Sequence, residues 1–177
     1  MKLINFLFIP IFLVFITSCS DSNSLCHQEQ GIQALEASLI ESVVNQSDFL
    51  AREYGLTDVE AQLKKLFNEN KIQVTNIDLM NTTVIDSKLV CSCSTELSFA
   101  DDSMFLKAIA PRVTEAKSSG DKYSKIYLKN KHLIKYSDKG HYSFFYSVFK
   151  TDDNLSASVN DYKVGSLLID YLATKKP

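Results

Sequence analysis

The chain has 177 residues, of which 45% are hydrophobic and 23% are charged. This length and apolar content suit one domain with its own core, and they exclude a disordered or coiled-coil chain. The formal net charge of −2 at pH 7 provides no basic field, so nucleic acids are not expected partners.

The N-terminus carries a single lysine, Lys2, followed by an apolar run from Leu3 to Ile16. The run has about 14 residues, fewer than the roughly 20 that an α-helix needs to cross a bilayer. A positive residue, a short apolar core and then small polar residues are typical of a signal peptide. The sequence therefore predicts a targeting segment over residues 1–18.

The end of this segment, Ile16-Thr17-Ser18-Cys19, resembles the lipobox of bacterial lipoproteins. The resemblance implies that the signal is cut before Cys19, that the Cys19 sulfur carries lipid and that the new amino group is acylated. Two or more acyl chains hold a protein stably at a membrane. In a host with two membranes, Ser20 after the cysteine favours the outer membrane, facing the periplasm. Residues 19–25 then form a lipidated tether and residues 26–177 a single domain.

Three cysteines remain once Cys19 is assigned to lipid: Cys26, Cys91 and Cys93. Disulfides persist in exported proteins, so an odd number leaves one free thiol or requires a cysteine from a partner. Residues i and i+2 of a strand lie about 6.6 Å apart, which disfavours a bridge between Cys91 and Cys93. Cys26 is therefore expected to pair with one of these two.

The stretch Val90-Cys91-Ser92, together with one N-terminal cysteine, weakly resembles a pattern in small secreted bacterial proteins of unassigned function. In those proteins a small residue such as alanine usually follows, where this chain has Cys93. The resemblance implies a Cys26–Cys91 disulfide, with Cys93 as a small buried residue.

The first half of the domain predicts two helices and two strands. Apolar residues recur every three or four positions over residues 28–50, which indicates an amphipathic helix. Thr57 and Glu60 have the spacing of a capping box, so a shorter helix is predicted up to Asn68. Residues 72–85 then predict extended structure whose alternation slips between positions 74 and 77, which indicates a bulge or two pieces of strand. Residues 88–99 predict a strand with one buried face.

The second half predicts a helix beginning near Ser103, which Pro111 should kink or shorten. Extended structure is expected afterwards, at residues 126–128, 133–136, 141–149 and 155–162, before a closing helix over residues 164–172. These elements predict an α+β fold. N-terminal helices, a mainly antiparallel sheet of four or five strands and a C-terminal helix are expected, with the helices on one face of the sheet.

The strand over residues 141–149 is aromatic on both of its faces. Such a strand is expected at the centre of a sheet or covered on both sides. If helices cover only one face of the sheet, an aromatic patch is exposed, and exposed apolar patches mark interaction sites. The candidate interaction residues are Tyr142, Phe144 and Tyr146.

Residues suited to catalysis or metal binding form no recognised motif. His27 and His132 are expected to be solvated, and His141 to lie at a strand end. Asp101-Asp102 and Asp152-Asp153 are expected to begin helices or form turns. The sequence lacks the G-x-S-x-G and H-E-x-x-H patterns, and its cysteines match no zinc pattern. We therefore expect no catalytic residues, cofactor or metal.

These observations predict a non-enzymatic lipoprotein of the cell envelope that binds another protein. This lipoprotein would act on its partner as an inhibitor or immunity protein, or as an envelope assembly factor. The alternative is a module that binds a small ligand or lipid, which a cavity larger than side chains can fill would favour.

Overall fold

The computed structural model describes residues 24–119, 125–151 and 154–175. The expected signal segment, the lipidation site Cys19 and the tether up to residue 23 lie outside the described residues. The described chain forms an α+β fold of six helices and a four-stranded sheet.

In chain order, three helices precede the first strand, two lie between the second and third strands, and one follows the last strand. The first predicted helix is interrupted at Asn45-Gln46. The predicted capping box of Thr57 and Glu60 is wrong, because the N-cap of the third helix is Asp58, which has a left-handed conformation with φ of 50°. The helices are α1 (Glu29–Val44), α2 (Ser47–Glu53), α3 (Val59–Asn68), α4 (Ser103–Ser118), α5 (Lys125–Lys139) and α6 (Tyr162–Thr174).

The sheet has the order β1-β2-β3-β4, and every neighbouring pair of strands is antiparallel. Its strands are β1 (Ile72–Ile85), β2 (Lys88–Phe99), β3 (Tyr142–Thr151) and β4 (Asn154–Val159). Asp86 and Ser87, with φ of 50° and 63°, form the tight turn of the β1–β2 hairpin. The bulge predicted in β1 is confirmed by a register shift between Thr75 and Asp78, and a second shift lies at Met80.

Residues 125–139 form helix α5, so the strands predicted at 126–128 and 133–136 are wrong. Leu133 and Tyr136 are both fully buried and lie three residues apart, as on one face of a helix. The two predicted strands are short, mainly apolar runs of three or four residues, and runs of this length do not distinguish a strand from a helix. Helix α4 also continues for 16 residues through Pro111 and is not shortened.

The core lies between the helices and one face of the sheet. Phe99 of β2 stacks on Tyr171 of α6, with 3.9 Å between ring centroids, and Phe105 and Tyr136 pack edge-on or tilted around them. Burial of such large rings is a main source of folding free energy.

The prediction that Tyr142, Phe144 and Tyr146 are interaction residues is wrong. Each is at most 2% exposed. They share the sheet face with Leu97, Thr95 and Cys93, opposite which they are paired. Because the helices pack on that face, these rings belong to the core.

The disulfide joins Cys26 to Cys93, with 6.2 Å between their Cα atoms, and Cys91 is a buried free thiol. The Cys26–Cys91 bridge that the resemblance implied is therefore wrong. The neighbouring His27 lies at the same part of the sheet, where its Nε2 donates a hydrogen bond to the Ile77 carbonyl at 2.8 Å. This bond holds the segment beside the part of β1 that faces Cys93, whereas Cys91 lies opposite Thr82, farther along β1.

The segment before α1 approaches that helix closely at Gly31. A Cβ at this position would lie 2.0 Å from the carbonyl oxygen of Leu25, a distance that backbone atoms cannot accommodate. Glycine therefore allows the segment carrying Cys26 to fold back over the first turn of α1.

Candidate binding surfaces

The sheet face opposite the core is open to solvent in the described structure. Phe145, on β3, is 60% exposed and pairs with Ser94 of β2. Met80, which is 59% exposed, accepts a weak hydrogen bond from the Ser94 hydroxyl at 3.6 Å. The two large apolar side chains therefore flank one serine on a face that is otherwise largely polar around them, with Val90, Phe149 and Ile85 toward the hairpin end. The serines on this face are Ser92, Ser94, Ser98, Ser143, Ser147, Ser156 and Ser158.

Strand β1 is an edge strand, and its last six residues, 80–85, are all exposed. Val84 is 71% exposed and Ile85 is 55% exposed. The six residues carry no charge, and four of them are β-branched, a composition with high strand propensity. Edge strands usually carry charges, prolines or bulges that prevent pairing with another chain. In β1 one bulge precedes this part and the other lies at its first residue, Met80, and residues 81–85 are paired with β2 in regular register. We call residues 80–85 the exposed edge.

The other edge of the sheet differs from the exposed edge. Strand β4 has only six residues, and α1 packs against it. Gln30, Gln33 and Ala34 of α1 line a surface hollow together with Asn154 and Leu155 of β4. A short, partly covered strand is one of the ways in which proteins protect an edge.

A cleft of about 350 Å³ lies among α2, α4, α5 and α6, on the helical side of the molecule. Its rim is made of exposed side chains from three of these helices, and its floor of buried ones from α5 and α6. The rim includes Phe49, Arg112, Glu115 and Lys129. The floor consists of Asn130, His132, Ile169 and Asp170.

Asp170 forms the centre of a charged cluster at the floor of this cleft. Its Oδ1 accepts a hydrogen bond from Arg112 Nη1 at 3.0 Å, and its Oδ2 accepts one from His132 Nε2 at 2.9 Å. Asp170 and His132 are almost fully buried, whereas the Arg112 side chain is 49% exposed. The cluster joins α4, α5 and α6.

The prediction that His132 is solvated is wrong, because helix α5 turns this residue toward α6. His27 is half-buried and hydrogen-bonded on both ring nitrogens, to Ser24 Oγ and to the Ile77 carbonyl, so its role is structural. His141 precedes β3, and its Nε2 lies 3.2 Å from Glu96 Oε1.

The structure describes one of the two pairs of neighbouring aspartates. Asp101 and Asp102 precede α4, as predicted, and Asp102 accepts a hydrogen bond from the Tyr136 hydroxyl at 2.9 Å. Asp152 and Asp153 lie outside the described residues. Within the described part of the chain, no group of three or more His, Cys, Asp or Glu side chains could hold a metal ion.

Comparison of the chain with protein-family models, with curated proteins and with solved structures gives no match. Among the described residues, no helix is long and apolar enough to cross a membrane.

Sequence reasoning missed both the exposed edge and the cleft. The uncharged, β-branched run over residues 80–85 was a usable signal for the edge. The cleft had no comparable signal, because its residues come from four helices, and one of those helices was predicted as strands.

Proposed function

We propose that this protein is a non-enzymatic, lipid-anchored lipoprotein of the cell envelope that binds another protein along its exposed edge. The observation that carries the proposal is the uncharged, exposed strand segment over residues 80–85. The partner contributes an extended segment that pairs with this segment as an additional strand.

The chemistry of the exposed edge supports this mode of binding. An added strand gains main-chain hydrogen bonds from the unpaired side of β1, and alternate side chains provide specificity. Val84 and Ile85 offer apolar contacts on opposite faces of the extended sheet, because successive strand residues alternate. Met80 and Phe145 extend the apolar contact on the open face.

The proposed anchor supports an envelope partner. A lipid on Cys19 would keep the domain at the membrane, and the outer membrane facing the periplasm is our proposed location. The disulfide suits an oxidising compartment of this kind. The partner is accordingly an exported protein that this lipoprotein inhibits or helps to assemble.

The direct test is site-specific crosslinking on native membranes. A photo-reactive residue in place of Val84 should crosslink one envelope protein, which mass spectrometry then identifies. The same residue in place of Lys64, on the exposed side of α3, serves as the control and should give no such product. Recovery of lipid alone from position 84 would contradict the proposal and favour the lipid-binding alternative.

A matched pair of edge variants measures the contribution of the strand. Val84→Lys places a charge on the exposed edge, and charges there oppose strand addition. We expect the partner's affinity to fall by about tenfold or more, which corresponds to about 1.4 kcal/mol. Val84→Thr keeps a β-branched side chain and should retain the affinity within roughly threefold. Unchanged binding by Val84→Lys would mean that the partner binds elsewhere.

A further inference from the structure

The cleft among α2, α4, α5 and α6 combines three features that suit the binding of one small molecule. Its floor is buried and mostly polar, its rim carries both signs of charge, and one side of the rim is aromatic. Clefts between helices with a few convergent polar groups are common ligand sites. The exposed edge of the sheet is not part of it, so the two surfaces are separate.

We propose that this cleft binds an apolar amino-acid residue through its free carboxylate, either as a free amino acid or as the C-terminal residue of a peptide. The carboxylate binds Arg112 and Lys129, and the apolar side chain packs against Phe49 and Tyr54. The proposal concerns a site of its own and does not depend on the partner of the exposed edge.

Arg112 provides the main recognition group. Asp170 accepts a hydrogen bond from only one guanidinium nitrogen of Arg112, Nη1. This bond holds the planar guanidinium at the rim. A guanidinium has five N–H donors arranged to bind a carboxylate in a bidentate manner. Within the described residues, the Arg112 side chain makes one hydrogen bond, to Asp170, so its other N–H donors can bind a ligand. Lys129 adds a second positive charge at the rim.

Phe49 provides the apolar wall. Its ring is 54% exposed, although it lies edge-on to Tyr54 with 6.4 Å between the ring centroids. A large exposed aromatic ring beside a cleft gains free energy when a ligand covers it.

Glu115 fits the nitrogen that an amino-acid residue carries next to its carboxylate. It lies three residues after Arg112 in α4, so the two side chains are neighbours on one helix face. An ammonium or amide N–H placed there faces a carboxylate, while the ligand's own carboxylate faces the guanidinium. The cleft volume of about 350 Å³ lies at the lower end of ligand pockets, which suits one apolar residue rather than a long chain.

The test uses the full lipidated protein in detergent micelles and three probes: the dipeptide Ala-Phe, its C-terminal amide and free phenylalanine. We expect Ala-Phe to bind in equilibrium dialysis and its amide to bind at least about tenfold more weakly, because the amide lacks the charge. Phenylalanine that binds as tightly as Ala-Phe would assign a free amino acid, and tighter binding of Ala-Phe a peptide terminus.

Variants locate the binding to the cleft. Arg112→Gln should weaken Ala-Phe binding by about tenfold or more, whereas Arg52→Gln, at an exposed position of α2 outside the cleft, should not. Arg112→Gln also removes a partner of Asp170, so its folding is checked by circular dichroism. Phe49→Ala leaves the Asp170 cluster intact and should weaken binding by roughly threefold to tenfold.

Three results would overturn the assignment. The first is no binding of Ala-Phe or phenylalanine up to about 10 mM, a concentration at which even weak sites are occupied. The second is equal binding of Ala-Phe and its amide. The third is unchanged Ala-Phe binding by both Arg112→Gln and Phe49→Ala.

Discussion

A single carboxylate, Asp170, links three helices through its hydrogen bonds. Burying its charge is costly unless donors surround it, and here both oxygens accept a hydrogen bond from a positively charged or chargeable side chain. One of those donors, Arg112, remains half exposed at the cleft, so the cluster both stabilises the helices and shapes the candidate ligand site.

Removing the charge of Asp170 should destabilise the protein. We expect Asp170→Asn to lower the free energy of unfolding by about 2–4 kcal/mol, because it removes the counter-charge of Arg112 and leaves one amide oxygen where two carboxylate oxygens accept hydrogen bonds from Arg112 and the buried His132. Urea unfolding monitored by circular dichroism measures this change. The control is Asp138→Asn, which removes the exposed ion pair with Lys117 and should cost less than about 1 kcal/mol. Equal losses in the two variants would mean that the buried cluster has no special role.

At the level of elements, long periodic segments were predictable and short ones were not. Strand β2 alternates over residues 88–99, and its buried face was correctly predicted from that alternation. Helix α5 was mispredicted because its apolar residues were assessed in windows of three or four, and its burial depends on packing against α4 and α6.

The two candidate sites also differ in how far the local sequence predicts them. The exposed edge is a property of one strand, so its sequence contained the signal. The cleft depends on how α2, α4, α5 and α6 are placed, and local sequence does not encode that arrangement. The disulfide partner was equally undetermined, because Cys91 and Cys93 share one face of β2 and the choice depends on where the segment before α1 lies along the sheet.

The disulfide links the segment before α1 to strand β2 across 67 residues of sequence. Removing it with Cys26→Ala should lower the free energy of unfolding by about 2–5 kcal/mol, since the unfolded chain then loses a long-range constraint. Cys91→Ala keeps the bridge and should cost about 1 kcal/mol, as for a small buried group. Urea unfolding measures both values, and alkylation of unreduced, denatured protein followed by mass spectrometry counts free thiols. A new free thiol in Cys91→Ala would show that Cys91, not Cys93, forms the bridge.

For the molecule as a whole, the one-sided packing of helices on the sheet concentrates tyrosines in the core. Burial is the main cause of a raised pKa in four of them, Tyr136, Tyr142, Tyr146 and Tyr171, and it raises the pKa of Tyr146 and of Tyr171 to about 12. Tyr136 and Tyr142 also donate hydrogen bonds to Asp102 and Asp161, which raises their pKa further. The unfolded chain has no such environment, and its tyrosines titrate near pH 10.

The fold should therefore lose stability in alkaline solution. Below about pH 10 the four phenols are protonated in both states, so their contribution is fully present. Above it the unfolded state releases protons that the folded state retains, and each tyrosine then costs about 1.4 kcal/mol per pH unit until its folded pKa is reached. Four such groups predict a loss on the order of 5 kcal/mol by pH 11, comparable with the whole stability of many domains.

Urea unfolding at pH 8, 10 and 11 measures this loss, because free tyrosine titrates at about pH 10. It is best done in Cys91→Ala, since the free thiol could exchange with the disulfide at high pH. Tyr146→Phe removes one of the four titrating groups without changing the ring, so the loss at pH 11 should shrink by about 1 kcal/mol. A free energy of unfolding that stays constant from pH 8 to pH 11 would mean that these phenols ionise equally well in the folded protein, and hence that water reaches the aromatic core.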